Sequence, residues 1–228
     1  EMVTRGDWIV RMRVPKDKPT IITDQIRGEI TFAPEQVTEQ VLIKSDGFPT
    51  YHLAAVVDDH LMRITHVIRG EEWISSTPKH ILLYQFFGWD MPQFAHVSVL
   101  RNPDKSKLSK RKNPVWVSDY KTKGFLPEAI KNYLATMAWS YPGGRDIFSV
   151  AEMIEHFTLE SIQTTAPVFD TEKLRWMNGE YLRMKSDAEL STLITDFNSD
   201  KKIEPKLLAK ILPLIRDRMK VLGEFDSL

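Results

Sequence analysis

Ile64-Thr-His-Val-Ile-Arg-Gly-Glu-Glu-Trp73, continued by Ser76-Thr-Pro-Lys79 and Phe94-Ala-His-Val-Ser-Val-Leu100, is the stretch whose reading decides the fold. Ile64–Ile68 and Phe94–Leu100 read as mostly apolar strands, the composition of a sheet covered on both faces. Between them Thr77 reads as a helix N-cap, Pro78 as the first helical residue and Gly88 as the stop. Strand, helix and strand make one crossover unit of a parallel, doubly wound sheet. Ligands of such sheets bind beyond the carboxyl ends of the strands. Here those ends carry Arg69-Gly-Glu-Glu-Trp73 and a basic segment that opens at Arg101.

Working outward, Tyr51-His-Leu-Ala-Ala-Val-Val57 is predicted as another apolar strand, entered from an Asp46-Gly47 turn. The first 45 residues read as β-rich, with short strands at Trp8–Val14, Thr20–Thr23, Gly28–Phe32 and Gln40–Lys44. The last hundred or so residues read as helical. Pro127–Trp139 has apolar residues at helical spacing, and Ser149 with Glu152 and Ser186 with Glu189 form capping boxes. A further helix is expected from Asp170 or Thr171 to Asn178, stopped by Gly179, and a last one from Pro205 to Leu222, stopped by Gly223.

Composition narrows the function classes. The 228 residues hold 31 Lys+Arg and 31 Asp+Glu, and 42% are hydrophobic, as expected of a globular chain with a real core. No cysteine is present, which excludes disulfides, thiol catalysis and cysteine-ligated metal. The apolar runs are too short for a membrane span, so a cytoplasmic location is expected. The zero net charge is unevenly spread. Arg101, Lys105, Lys107, Lys110, Arg111, Lys112, Lys121 and Lys123 face only Asp104 and Asp119 in one segment, a distribution suited to polyphosphate or a nucleic-acid backbone.

Within that segment Lys107-Leu-Ser-Lys-Arg111 places two mobile ammonium groups around a small hydroxyl, which suits phosphate chemistry. Arg69 offers a planar fork for a carboxylate, Glu72 an acceptor for ribose hydroxyls, and Trp73 a surface against a base. Tyr51 is a candidate ligand contact, whereas Asp58-Asp59 reads as a turn or cap pair. The six histidines lack a close metal-binding spacing. Walker A, G-x-G-x-x-G and G-x-S-x-G patterns are all absent, which disfavours P-loop, dinucleotide-dependent and α/β-hydrolase chemistry.

Taken in order, Ser45-Asp-Gly-Phe-Pro-Thr-Tyr51, Val56-Val-Asp-Asp59, Ile64–Trp73, Ser76–Lys79, Phe94-Ala-His96 and Lys107–Arg111 closely resemble bacterial-type glutamyl-tRNA synthetase, and Phe169–Asn178 looks like that family's stem-contact region. The resemblance runs from about residue 5 to residue 185. It implies a class I aminoacyl-tRNA synthetase, in which the glutamate carboxylate attacks the α-phosphate of ATP and the adenylate then esterifies tRNA. By the same resemblance Lys107 and Lys110, assisted by Ser109, neutralise the leaving pyrophosphate. Arg69 and Tyr51 hold glutamate. Glu72, Trp73, Leu100, Leu108 and Arg111 contribute with them to the ATP site, and Mg2+ accompanies ATP. The implied fold is α/β plus α. A remnant of the acceptor-binding insertion spans 1–45, the second half of a Rossmann-type catalytic domain 46–112, a helical stem-contact domain 113–185, and the start of a helical anticodon-binding region 186–228. The parent enzyme is expected to be a monomer.

Three departures qualify the match. The loop reads K-L-S-K-R rather than K-M-S-K-S, and Ala55 stands where many members carry a polar residue. No His-x-Gly-His occurs, so the chain reads as an interior part of a longer synthetase. The competing reading is a non-catalytic tRNA-binding module that kept the stem-contact surface; a glutamine-specific relative is a third. The expected outcome is that the isolated chain shows no glutamate- and tRNA-dependent ATP–pyrophosphate exchange; measurable exchange would refute that expectation.

Overall fold

Two β-branched runs, Thr20–Asp24 (β2) and Gly28–Phe32 (β3), form an antiparallel hairpin. Asp24 closes the turn by accepting the backbone N–H groups of Ile26 and Arg27, each at 3.0 Å. Gly28, at φ 71°, takes the left-handed conformation there. The hairpin belongs to a four-stranded sheet of order β3-β2-β6-β5, where β5 is His66–Gly70 and β6 is Gln93–Val97. β5 and β6 run parallel with Arg69 opposite His96, and β2 joins parallel to β6 at Asp24 and Phe94. The expected crossover unit is therefore present, but its sheet is mixed, and strands from the first 45 residues are part of it. The remaining strands, Val10–Arg11 (β1) and Val41–Ile43 (β4), pair antiparallel in a separate ribbon.

The computed structural model describes residues 8–108 and 116–228, which divide into two units. The first runs to Ser98 and includes Leu159–Thr164; the second holds Val99–Thr158 and Thr165–Leu228.

In the first unit Tyr51–Leu61 is a helix (α1), not the predicted strand. A short apolar run fits either period, and here Leu53 and Val56 pack on Leu82 and Leu83 while Tyr51, Asp58 and Leu61 stay exposed. The second helix, α2, spans Thr77–Phe87 and ends at Gly88 in the left-handed conformation, as expected. Its N-cap is Ser76 rather than Thr77, whose hydroxyl is engaged elsewhere. Ile22, Ile81 and Phe94 lock α2 onto the sheet.

The second unit contains Val117–Thr122 (α3), Pro127–Ala138 (α4), Val150–His156 (α5), Thr171–Met184 (α6), Asp187–Phe197 (α7) and Pro205–Ile215 (α8). Both predicted capping boxes form: the Ser149 and Ser186 hydroxyls accept from Glu152 and Glu189 N–H, and each glutamate accepts in return. Gly179 does not stop α6. It lies mid-helix, where a Cβ would come within 2.9 Å of the Lys220 side chain, so close approach explains the residue. The last helix ends at Ile215 rather than Leu222, because Leu222 and Gly223 donate to Gly124 and Lys123 carbonyls in the loop before α4.

Asn178, fully buried in α6, ties this unit together. Its Oδ1 accepts the Leu126 N–H at 2.7 Å and its Nδ2 donates to the Lys220 carbonyl at 2.6 Å. Truncation leaves both backbone groups buried without that partner. Asn178→Ala is therefore expected to destabilise the protein by about 2–4 kcal/mol in urea unfolding. A change within experimental error would remove Asn178 from this role.

Candidate active site

Arg69 leaves the carboxyl end of β5 and is gripped on two sides. Its Nε donates to His96 Nε2 at 3.1 Å and its Nη2 donates to Thr77 Oγ1 at 2.8 Å. The guanidinium also lies 5.9 Å from the Trp73 ring and 5.8 Å from the Phe94 ring. Behind His96, on the next strand, stands Asp24: His96 Nδ1 lies 2.6 Å from Asp24 Oδ2, and both side chains are fully buried. The other carboxylate oxygen accepts from the backbone N–H of Ile26, Arg27 and His96. Burial opposes ionisation of Asp24, but these hydrogen bonds outweigh it and hold the carboxyl below its usual range. Burial depresses the Arg69 guanidinium, a shift opposed by the nearby Tyr51 phenol.

Arg27, in the same hairpin turn, spans the ends of the two parallel strands. It donates to the His96 carbonyl at 3.1 Å, to Ser98 Oγ at 3.0 Å, and pairs with Glu71 at 2.6 Å. The neighbouring Glu72 folds its carboxylate over Gly70, where an added Cβ would meet Glu72 Oε2 at 2.1 Å. Gly70 thus clears the space in which Glu72 lies.

An aromatic wall completes this half. Tyr51, the first residue of α1, packs its ring 5.2 Å from Trp73, and both remain partly open to solvent at 53% and 39% exposure. Beneath them His52 Nδ1 and His80 Nε2 are hydrogen-bonded at 2.9 Å, and His80 is buried. Burial first, then the positive charge of Arg69, lowers the His80 pKa to about 3.

The second unit carries the basic segment. Leu108 N–H donates to the Leu100 carbonyl, Asn102 N–H to Ser106, and Arg101 bridges both Lys107 and Val168, so residues 100–108 form a pinned hairpin. Its tip is held by Asp104, which accepts from the Ser106 N–H and hydroxyl, and by Lys105 in the left-handed region at φ 64°. Beside it a cavity of about 290 Å³ is lined by Leu108, Tyr120, Phe169 and Asp170 among others.

The sequence-predicted residues thus fall into two sets. Tyr51, Arg69 and Trp73 come together with Glu72 close by on the first unit. Leu100, Lys107 and Leu108 sit on the hairpin of the second, and Ser109, Lys110 and Arg111 lie outside the described residues. Sequence reasoning assigned no site role to Asp24, Arg27, His80 or His96, and read Thr77 only as a helix cap. Only Phe94-Ala-His96 and the Asp24-x-x-Arg27-Gly28 turn signal could have pointed to them.

A parallel β-α-β unit with a gripped arginine at its carboxyl edge has the ligand-binding layout of a doubly wound α/β sheet. The family model described as tRNA synthetases class I (E and Q), catalytic domain, matches residues 2–176, and the chain belongs to that family. Among its relatives, the glutamate–tRNA ligase of Saccharophagus degradans is 53% identical over 96% of this chain, and that of a Marinomonas strain 51% identical over 95%. The chain spans 43% of the length of each. The crystal structure of a glutamate tRNA ligase from Elizabethkingia meningosepticum, in complex with its amino acid, superposes with a TM-score of 0.85 at 34% identity, covering 96% of this chain and 48% of that one.

The buried histidine yields a pH prediction. Folded His80 takes up its proton only near pH 3, whereas in the unfolded chain it does so near its ordinary value of 6.5. The unfolded state therefore holds more protons between those limits, so this contribution is complete above pH 6.5 and is lost as pH falls towards 3. Between pH 8 and pH 5 the protein is expected to lose about 2 kcal/mol more stability than its His80→Gln variant. Parallel stability profiles in urea titrations would contradict this.

Proposed function

We propose that this chain is part of a glutamate–tRNA ligase, in which ATP activates glutamate as glutamyl-adenylate before transfer to tRNA. The observation that carries the reading is Arg69. It is a half-buried guanidinium held by His96 and Thr77, with no carboxylate in ion-pair contact among the described residues. Asp24 and Asp59 act on it only from beyond ion-pair contact, so holding this cation partly away from water is costly and an anionic ligand would offset that cost. The planar fork suits a carboxylate, and Tyr51 and Trp73 wall the space beside it. Glutamate–tRNA ligase relatives at about half identity support the same substrate.

In this reading Arg69 and Tyr51 bind glutamate. Glu72, Trp73, Leu100, Leu108 and Arg111 contact ATP. Lys107 and Lys110, with Ser109, follow the charge that develops on the departing pyrophosphate. Fixed and mobile positive groups at that position lower the barrier by electrostatic stabilisation and by holding the reactants in line. The hairpin pinned by Arg101 and Asp104 supports Lys107 in that role. Magnesium arrives with the ATP phosphates; among the described residues no group of three or more acidic or histidine side chains gathers as a metal site, and none is assigned to it. Residues 1–45 are proposed to belong to the acceptor-binding insertion and the helices after residue 113 to a stem-contact region leading, from residue 186, into the anticodon-binding helices, with a monomeric enzyme acting in the cytoplasm.

In the complete ligase, Arg69→Ala is expected to raise the glutamate KM by about 100-fold in ATP–pyrophosphate exchange. Lys107→Ala is expected to lower kcat by about 100-fold with little change in glutamate KM. Exchange driven by glutamine but not glutamate, or tRNA binding with no response to ATP and glutamate, would overturn the proposal.

A further inference from the structure

We infer that Asp24, through His96, is a positioning residue that sets the hydrogen-bonding polarity of the amino-acid pocket. The inference rests on the reading of Arg69 as the glutamate-binding arginine and adds what holds that arginine in place.

The argument is one of donors and acceptors. An arginine side chain only donates, so His96 Nε2, 3.1 Å from Arg69 Nε, must carry a lone pair. The proton of a neutral imidazole then sits on Nδ1, which faces Asp24 Oδ2 at 2.6 Å. An imidazolium would turn an N–H against the Arg69 N–H, and the charge of Arg69 together with burial keeps the ring neutral. Asp24 therefore selects the tautomer, and the tautomer makes His96 an acceptor for Arg69. Thr77 closes the arrangement: it accepts from Arg69 Nη2 at 2.8 Å and donates to the Trp73 carbonyl at 3.0 Å. The arginine is held by neutral acceptors, so its positive charge stays available to a ligand, while the compensating carboxylate is one imidazole away.

The geometry also dictates what an isosteric change does. Asp24 Oδ1 is occupied by three backbone donors, Ile26, Arg27 and His96 N–H. In Asp24→Asn the amide oxygen must stay on that side, so the NH2 group faces His96 Nδ1. His96 is then driven to the Nε2–H tautomer, which opposes a donor to Arg69 Nε–H and competes with Arg69 Nη2 for Thr77 Oγ1, 3.2 Å from His96 Nε2, so Arg69 loses its His96 bond. A residue with a purely structural role would not invert a tautomer.

The test combines NMR and kinetics on the complete ligase with 15N-labelled histidine. In the unsubstituted enzyme His96 is expected as the neutral Nδ1–H form; an Nε2–H or doubly protonated ring overturns the inference outright, without any variant. Folded Asp24→Asn is expected to show the Nε2–H form and a glutamate KM raised about 10–100-fold, with ATP KM and kcat nearly unchanged. His96→Gln, whose amide oxygen can accept from Arg69 in any protonation state, is expected to keep a near-normal glutamate KM, and His96→Leu to lose it. A normal glutamate KM in Asp24→Asn while Arg69→Ala raises it sinks the positioning role. A normal glutamate KM in Arg69→Ala sinks the reading of Arg69 instead, and the tautomer measurement still decides the polarity of the relay.

Discussion

A carboxylate withdrawn completely from water has to be repaid in hydrogen bonds, and Asp24 is the group around which the first unit is organised. Its four acceptor contacts come from its own hairpin turn and from β6, so satisfying it brings the β2–β3 hairpin against the parallel pair. The Gln25 N–H donates to the Phe94 carbonyl at 2.8 Å and extends that contact by one backbone bond. The mixed sheet follows from this polar requirement as much as from the apolar seam of Ile22, Ile81 and Phe94. The same carboxylate orients His96, and His96 seats Arg69. One buried charge thus serves both the packing of the sheet and the placement of Arg69.

The two units handle charge in opposite ways. At the strand ends of the first, two partly buried arginines are individually positioned: Arg27 is paired with Glu71, and Arg69 is held by neutral acceptors. In the second, Arg101, Lys105 and Lys107 sit on a short hairpin held by backbone bonds and by Asp104. Fixed geometry suits recognition of one carboxylate, whereas lysines on a hairpin suit phosphates whose charge moves as the bond breaks. The helical bundle beyond is held by its own hydrophobic core and by Asn178, which joins the loop before α4 to the chain before residue 222.

Legibility in the sequence varied with the range of the interaction. Capping boxes at Ser149 and Ser186, and the Gly88 stop, were legible because each is settled within a few residues. Tyr51–Val57, the first part of α1, was misread as a strand because its apolar run is compatible with two periods, and only packing on α2 chooses between them. Gly179 was misread as a stop because glycine marks both helix ends and close approaches; the Lys220 side chain supplies the second reason from elsewhere in the chain. Thr77 looked like a cap because its hydroxyl type is right for one, yet Arg69 claims it. Among the candidate residues, Arg69 and Trp73 could be named from the segment after the strand, and Tyr51 from the run that follows the Asp46-Gly47 turn. Asp24 and His96 carry only a turn signal and a short motif, and nothing local in a Thr-Asp-Gln or an Ala-His-Val run shows that they face each other.

By itself the sequence determined the chemistry on offer: a chain without thiols, a crossover unit with an arginine and a basic loop at its strand ends, and ordered segments shared with class I tRNA synthetases. It also set every helix boundary that depends on neighbouring residues alone. The tertiary structure decided which polar groups became partners. Strand register puts Arg69 opposite His96, and a turn 72 residues earlier in the chain delivers Asp24 to the far side of that imidazole. Burial removes water as an alternative partner, so only groups brought together by the fold can satisfy one another, and that pairing has no local signature in the sequence.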